Sequence, residues 1–290
     1  MFINERRTMG KFKEKAMRWV FLLTALISVA AVALICVFLL SQGVPTIGEI
    51  GLSNFFGIKW NPSKGLYGIG AFIVGSLYVT AGAIVVGVPI GLLCAIFLAY
   101  FCNDKLYKIL HPAVQLLAGI PSIIFGFFGL TVLVPMLQDL TGASGKGWLT
   151  ASLLLGIMIL PTIITTAEPA IRAVPRPYYE GALALGATHE RSTFSVVVPA
   201  AKSGVMSGVI LGIGRAIGEA MAVIMVAGNQ KVIPETLLDG LRTMTSHIVA
   251  EMAYSSGLHR RALVATGVVL FVFILIINTC FSLWKGKGNK

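Results

Sequence analysis

The chain has 290 residues, of which 56% are hydrophobic and 12% are charged, and its mean hydropathy is +0.86. This composition excludes an ordinary water-soluble domain, in which about 25% of the residues are charged. The net charge of +11 does not indicate a nucleic-acid partner, because the 23 lysines and arginines lie in short clusters beside apolar segments. We therefore predict an all-α, polytopic membrane protein that has lipid as its main surroundings.

The N-terminus is a basic segment, residues 1–18, followed by an uncharged run from Val20 to Leu40. A cleaved signal peptide has an apolar region of about 7 to 15 residues. The run in this chain is longer and no A-x-A-like cleavage site follows it. We therefore expect it to be retained as the first transmembrane helix.

Apolar runs long enough to cross a bilayer, about 20 residues, recur along the rest of the chain. We treat residues 19–290 as one transmembrane domain with six spans, near 19–41, 69–101, 113–137, 148–170, 203–228 and 262–284. Outside these spans, fifteen lysines and arginines fall on the side of the termini and seven on the other side. The positive-inside rule therefore predicts that both termini are cytoplasmic.

Two long loops, Gln42 to Gly68 and Asn229 to Arg261, are predicted on the outer side. They could dock an outside partner, or they could be linkers that contain a short surface helix. His247 and His259 are predicted to be solvated or structural, and we predict no metal site. The cysteines lack metal-ligand spacing and are interpreted as small core residues: Cys36, Cys94, Cys102 and Cys280.

Span three contains Pro121, which removes one backbone donor from the helix, followed by Ser122. Ser122 and the freed carbonyl groups could line a route through the membrane. The alternative is a passive kink that improves packing. Similarly, Glu168 near the end of span four could orient the loop that follows, or it could cap the helix.

Span five contains Arg215 and Glu219, four residues apart and so predicted to share one helix face. Each charge costs at least about 2.5 kcal/mol at mid-bilayer, so both should face protein or water. Arg215 could contact a passing anion, because a guanidinium matches phosphate oxygens, or the pair could be a structural salt bridge. Small residues at every fourth position of this helix predict a tight helix interface.

The loop from Arg172 to Lys202 is longer than a helix connection needs. Pro177 can begin a short helix with Glu180 in its first turn, and Gly186 supplies a turn. Glu180-Gly181-Ala182, then Gly186, then Val196-Val197-Val198-Pro199 follow the spacing E-A-A, three residues, G, nine residues, I-x-L-P. The loop therefore resembles the EAA loop of ABC importer permeases, although Gly181 replaces alanine and valines replace isoleucine and leucine.

In that family the loop forms a coupling helix seated in a cleft of a cytoplasmic ATPase subunit. The resemblance implies that ATPase coupling involves Tyr178, Tyr179, Glu180, Gly181, Ala182, Leu183, Gly186 and Pro199. Direct contact by Tyr178, Tyr179 and Leu183 is a hypothesis, and packing against the chain's own helices is the alternative. An amphipathic helix lying on lipid is a further alternative.

Three further stretches are similar to the PstC branch of phosphate-specific permeases: Trp60-Asn61-Pro62, Leu117 to Pro135, and Arg215 to Glu219. This resemblance implies a type I ABC importer permease in a bacterial or archaeal plasma membrane, with Arg215 and Glu219 matching a charged pair associated with transport. It also implies three partners: a second homologous permease, ATPase subunits and an extracytoplasmic phosphate-binding protein.

The sequence lacks a P-loop, because Gly145-Lys146 is followed by glycine and position 140 is leucine. ATP is therefore expected to be bound and hydrolysed by a separate subunit, and we predict no cofactor and no enzymatic activity for this chain. Two other interpretations remain open: a permease for sulfate or molybdate, and a secondary anion transporter, which should lack the coupling loop. A signalling role beside a phosphate-sensing kinase could coexist with transport.

Overall fold

The structure is a computed structural model that describes the backbone of residues 2–287 and the side chains of residues 14 and 17–280. Most side chains of the predicted basic segment 1–18, with those of Lys285, Lys287 and Lys290, lie outside the described residues. The helices are α1 (Phe2–Ile50), α2 (Leu52–Phe55), α3 (Gly70–Ile96), α4 (Asp104–Gly119), α5 (Ser122–Phe128), α6 (Val134–Thr141), α7 (Trp148–Arg172), α8 (Arg176–Ala184), α9 (His189–Ser192), α10 (Val198–Ala200), α11 (Lys202–Gly218), α12 (Met221–Val226), α13 (Met244–Met252) and α14 (Gly257–Lys287).

Short elements connect or extend these helices. π-Helical turns at Phe97–Phe101, Gly129–Leu133 and Thr193–Val197 extend α3, join α5 to α6 and join α9 to α10. Two short strands, β1 (Trp60–Asn61) and β2 (Leu66–Tyr67), pair antiparallel around a 3₁₀ turn. The described chain is therefore mainly helical, with a small hairpin between its first two long helices.

Five helical stretches of the described chain are long and apolar enough to cross a bilayer: Met17–Ile50, Gly70–Phe101, Ser122–Thr141, Trp148–Arg172 and Gly257–Cys280. A sixth would be formed by His189–Ala200 and Lys202–Gly218 together, which are bent by 74° relative to each other. This agrees with the predicted class, an all-α polytopic membrane protein. The two ends of the bundle are named below the Trp148 end and the Arg172 end, after the first and last residues of α7.

Helix α7 lies at the centre of the bundle, packed between α3 and α11. Its side chains Leu154, Ile159 and Ile163 are completely buried. The predicted small-residue face of α11 meets this helix: a methyl group added at Gly204 would lie 2.3 Å from the Ala170 side chain. Because small residues allow close approach, α7 and α11 pack tightly, as predicted.

The first span was predicted to end near Ser41, but α1 continues to Ile50 through Pro45. The reason is packing against α14: Gly43 faces Val268 and Ala265 so closely that a side-chain carbon there would clash. Thr46 is also buried. Tertiary contact therefore keeps the glycine- and proline-containing segment helical, and the predicted loop begins only at Gly51.

The predicted third span, 113–137, is wrong at its start. Ile120 has an extended backbone (φ −70°, ψ 125°), as expected for a residue that precedes proline, so the chain breaks at Ile120–Pro121 instead of kinking. The membrane-crossing stretch is Ser122–Thr141. The preceding residues form the separate helix α4, which the Asn103 side chain caps by accepting a hydrogen bond from the Leu106 backbone.

The predicted span 203–228 is also interrupted, because α11 ends at Gly218 and α12 begins at Met221. The cysteines were wrongly interpreted as core residues: Cys36 and Cys102 are half-buried, and Cys94 and Cys280 are exposed on the surface of this chain. A membrane protein can place small apolar side chains toward lipid at no cost, so apolar sequence surroundings do not imply burial.

Candidate functional site

The chain breaks between α11 and α12 at Glu219, whose backbone is extended (φ −73°, ψ 128°). Two hydrogen bonds satisfy two of the backbone groups that the break frees: Glu219 Oε1 accepts from the Ala222 backbone N–H at 3.1 Å, and Thr245 Oγ1 of α13 donates to the Glu219 carbonyl at 2.8 Å. Non-helical backbone at membrane depth needs such protein partners. The break is therefore stabilised by side chains of this chain.

The break overturns the expected geometry of the charged pair. Because α11 ends before Glu219, Arg215 and Glu219 do not share a helix face, and the structure places no ion pair between them. The alternative that they form a structural salt bridge is therefore wrong. The Glu219 carboxylate instead caps the start of α12.

Arg215 is half-buried and donates from Nη1 to the Thr162 hydroxyl at 3.2 Å. Thr162 lies near the middle of α7, about 21 Å along the helix from Trp148 at 1.5 Å per residue. Among the described side chains, no carboxylate lies within 4.0 Å of this guanidinium. Arg215 is thus a mid-span cation with a neutral hydroxyl as its side-chain partner, which suits contact with an anion.

The second break, at Ile120–Pro121, lies next to Ser122, the first residue of α5. Helices α5 and α12 pack together: a side-chain carbon added at Gly126 would lie 2.8 Å from Met225 Sδ and 2.9 Å from Ala222 Cα. The helices that follow the two breaks are therefore in contact. Ser122 is half-buried, and in the described structure no hydrogen bond joins it to Arg215.

Helix α8 carries most of the predicted coupling residues at the Arg172 end. It begins at Arg176 with Pro177 as its second residue, so Glu180 lies in its second turn and not its first. Tyr178 and Leu183 are 57% and 39% exposed, and Leu185, which the sequence reading missed, is 91% exposed. These three side chains are therefore exposed at the Arg172 end of this chain.

The other predicted coupling residues have different positions. Glu180 and Gly181 are exposed, Ala182 is half-buried, and Gly186 has a left-handed backbone (φ +86°) that makes the predicted turn. Tyr179 hydrogen-bonds His189 and packs against Tyr100 with ring centroids 5.3 Å apart, so it supports α8 from within this chain. Pro199 lies outside α8, in the short helix α10 next to the 74° bend.

A buried carboxylate, Glu168, sits one turn before the end of α7 and is 1% exposed. Its Oε1 accepts from Tyr107 Oη at 2.9 Å and from Arg172 Nε at 2.6 Å, while Oε2 lies 3.1 Å from His111 Nδ1. Arg172 Nη2 also donates to the Leu98 carbonyl at 2.6 Å. Glu168 therefore contacts α4 directly and, through Arg172, the end of the second span. These contacts add to the orienting or capping role that the sequence suggested for it.

A second carboxylate cluster lies at the Trp148 end, centred on Glu251 of α13. Its two oxygens accept from Trp60 Nε1 at 2.8 Å and Arg242 Nη1 at 2.8 Å, pair with Lys231, and lie 3.0 Å from His259 Nε2. The cluster joins the two predicted outer loops. Sequence inspection missed it, because Trp60 and Glu251 are 191 positions apart and neither lies in a chemical motif.

His247 is completely buried between Phe72 and Trp60, with ring centroids at 3.9 and 4.3 Å. His247 and His259 are thus structural, one of the two roles predicted. Burial lowers the pKa of His247 to about 3. Burial alone would raise the pKa of Glu251, but hydrogen bonds from Lys231 and Trp60 and the surrounding positive charge lower it to about 2. Within the part of the chain that the structure describes, no group of three potential ligands could hold a metal ion.

Acidification is expected to destabilise the protein through His247. Its pKa is 6.5 in the unfolded chain and about 3 in the folded one, so between these values only the unfolded state binds the proton. Stability is therefore full above pH 6.5 and falls by about 1.4 kcal/mol for each pH unit below it. Thermal unfolding of the detergent-solubilised protein between pH 7.5 and 5 measures this slope.

The matched variant for that measurement is His247→Gln, which does not titrate. It should unfold at a lower temperature than wild type at pH 7.5, but with a shallower dependence on pH. Equal slopes for the two proteins would show that His247 does not carry the effect. Glu251 adds a further loss only below its unfolded value of 4.5, because its folded pKa is also lowered.

Comparison with known proteins shows the family to which this chain belongs. Residues 87–286 match the family described as "Binding-protein-dependent transport system inner membrane component". The probable ABC transporter permease protein YqgH of Bacillus subtilis is 38% identical over 266 residues, which cover 88% of this chain and 86% of the relative. The phosphate transport system permease protein PstC of Mesorhizobium japonicum is 37% identical over 80% of this chain and 77% of its own length.

Solved structures share the fold at low sequence identity. An inward-facing structure of the MetNI methionine ABC transporter contains a chain with a TM-score of 0.61 and 18% identity, covering 80% of this chain and 100% of its own. A bacterial alginate ABC transporter in complex with its alginate-bound periplasmic protein gives a TM-score of 0.57 and 16% identity, covering 91% and 95%. These matches show a type I ABC importer permease fold.

Proposed function

The chain belongs to the family of binding-protein-dependent transport system inner membrane components, and we propose that it forms one transmembrane half of an ATP-driven importer for inorganic phosphate. Family membership makes it a multi-pass ABC importer permease. The choice of phosphate is supported by the PstC relatives, at 35% and 37% identity over 80% of this chain.

Arg215 is the observation that carries the proposal. Its guanidinium lies at mid-span depth beside the Thr162 hydroxyl, and no carboxylate among the described side chains pairs with it. The helix breaks four residues further on, at Glu219. Two-point hydrogen bonding by a guanidinium matches the oxygens of a phosphate. In this proposal Arg215 contacts the passing anion, Thr162 holds the arginine, and the packed α5 and α12 beside the two breaks form a wall of the path.

Energy is supplied in this proposal by a separate ATPase that binds ATP and docks on α8. The exposed side chains Tyr178, Leu183 and Leu185 are the contact surface for it. The Arg172 end is then cytoplasmic, with both termini, and the Trp148 end faces an extracytoplasmic phosphate-binding protein. A second, homologous permease completes the path.

The direct test is uptake of labelled phosphate into proteoliposomes that hold the full complex, with ATP inside and the binding protein outside. ATP-dependent uptake that excess unlabelled phosphate blocks, and that sulfate and molybdate leave unchanged, is the expected result. Blocking by sulfate or molybdate at equal concentration would assign the chain to another oxyanion. Uptake that continues without ATP would indicate a secondary transporter.

Two glycine substitutions in the coupling segment, residues 176–186, should have opposite effects on its stability. Gly181 is in a helical turn with open space around its Cα, so Gly181→Ala should stabilise α8 by about 1 kcal/mol. Gly186 has φ +86°, so Gly186→Ala should destabilise the same segment by about 1 kcal/mol. Hydrogen exchange of residues 178–185 should slow about fivefold in the first variant and accelerate in the second.

The two variants serve as each other's control, because each adds one methyl group to the same exposed segment. Phosphate uptake should stay near wild type in Gly181→Ala, since alanine is the residue that the family pattern has at this position. Loss of uptake in Gly181→Ala, with the complex assembled, would show instead that the bare backbone at position 181 is needed for contact with the ATPase.

A further inference from the structure

Helix α4 is joined to α7 by hydrogen bonds to one buried acid, and its Leu117 packs on the main core. No residue of α4 is fully buried, and its inward-facing side chains Tyr107 and His111 both bind Glu168 of α7. Ring stacking between Tyr107 and His111, with centroids 5.0 Å apart, holds the two donors in place. The position of α4 relative to α7 therefore depends on the Glu168 carboxylate.

The same carboxylate is tied to the coupling segment. Glu168 Oε1 accepts from Arg172 Nε, and Arg172 lies four residues before Arg176, where α8 begins. The Arg172 guanidinium also lies 4.4 Å from the Tyr107 ring centroid, over its face. Together with Arg176, Tyr179 and Glu180, Arg172 lines a cavity of about 360 Å³ next to α8.

At its other end α4 leads directly into the break at Ile120–Pro121. Beyond that break α5 packs on α12, which follows the break at Glu219, four residues after Arg215. Helices α4 and α5 are closely linked, because only two non-helical residues separate them. The chain thus contains a continuous contact route from α8 through Arg172, Glu168 and α4 to the wall beside Arg215.

We propose that Glu168 is a positioning residue that couples movement of α8 to opening of the transport path, through its hydrogen bonds to Tyr107 and His111 of α4. The inference rests on the proposed function, since it assigns the route by which the ATPase acts on the path. Glu168 touches neither the anion nor the ATPase in this scheme. Its role is to keep α4 moving with the end of α7.

The test measures phosphate transported and ATP hydrolysed by the same proteoliposomes for wild type, Glu168→Gln and Tyr107→Phe. The glutamine keeps the shape of Glu168 but loses the charge that Tyr107, His111 and Arg172 share, and the phenylalanine removes one hydroxyl. In both variants the phosphate moved per ATP should fall about tenfold, typical of a lost coupling between two sites. ATP hydrolysis without binding protein should stay within about twofold of wild type.

The control is Glu49→Gln, which removes a carboxylate that pairs with Arg261 at the Trp148 end, where both side chains are about half exposed. Its phosphate-to-ATP ratio should equal that of wild type. If Glu168→Gln fails to assemble, Tyr107→Phe decides the question. A wild-type ratio in an assembled Glu168 or Tyr107 variant would overturn the inference, whereas absence of phosphate uptake in wild type would overturn the proposed function instead.

Discussion

Replacing Arg215 with glutamine should lower ATP-dependent phosphate uptake by about 100-fold, the loss expected when one strong charge-assisted contact to an anion is removed. The reason is its position: the guanidinium sits at mid-span depth on Thr162, without a carboxylate partner among the described residues. Uptake into proteoliposomes with the full complex, corrected for the amount assembled, measures the effect.

Two further variants separate charge from geometry at this position. Arg215→Lys keeps the positive charge but loses the planar fork, so it should recover only part of the uptake and remain about tenfold below wild type. Arg260→Gln removes an exposed arginine at the Trp148 end and should leave uptake unchanged. Normal uptake by an assembled Arg215→Gln complex would show that Arg215 has a structural role only.

Replacing Glu251 with alanine should destabilise the protein by about 3 kcal/mol, because removal of one member of a largely buried ion pair leaves the other charge unpaired. Glu251 is 13% exposed and Arg242 is 11% exposed, and the same carboxylate also holds Trp60 and His259. Thermal unfolding in detergent should show a midpoint lower by about 5 °C or more.

The matched control is Glu49→Ala, which also removes a carboxylate that binds an arginine. Glu49 and Arg261 are 47% and 45% exposed, and a pair this exposed contributes about 0 to 1 kcal/mol. Its midpoint should therefore shift by no more than about 2 °C. Equal shifts of the unfolding midpoint in the two variants would mean that the Glu251 cluster contributes no more stability than an exposed ion pair.

The Glu251 cluster also bears on the proposed transport site, because α13 connects the cluster to the break beside Arg215. This helix begins next to Thr243, whose side chain caps it, and Thr245 in its first turn binds the Glu219 carbonyl at the break. Glu251 lies at the opposite end of the same nine-residue helix. Destabilising the cluster should therefore disturb the geometry beside Arg215 as well as the outer loops.

Three properties of this chain could be read from the sequence alone. Hydropathy and the length of apolar runs determined that it is an all-α membrane protein with up to six spans, since an uninterrupted apolar helix has few other surroundings in which it is stable. The spacing from Glu180 to Pro199 identified the importer family. The regular small residues of α11 predicted a tight helix interface, which the structure shows to be with α7, because close approach depends on side-chain size, a property of each residue by itself.

Only the tertiary structure decided where the helices break and which polar groups meet. Pro45 stays within α1 because Gly43 packs on α14, whereas Pro121 ends a helix, and local sequence does not separate these two outcomes. Arg215 and Glu219 looked like a pair only as long as an unbroken helix was assumed. The Glu168 and Glu251 clusters join residues up to 191 positions apart, so their geometry depends on the packing of whole helices, which no local pattern encodes.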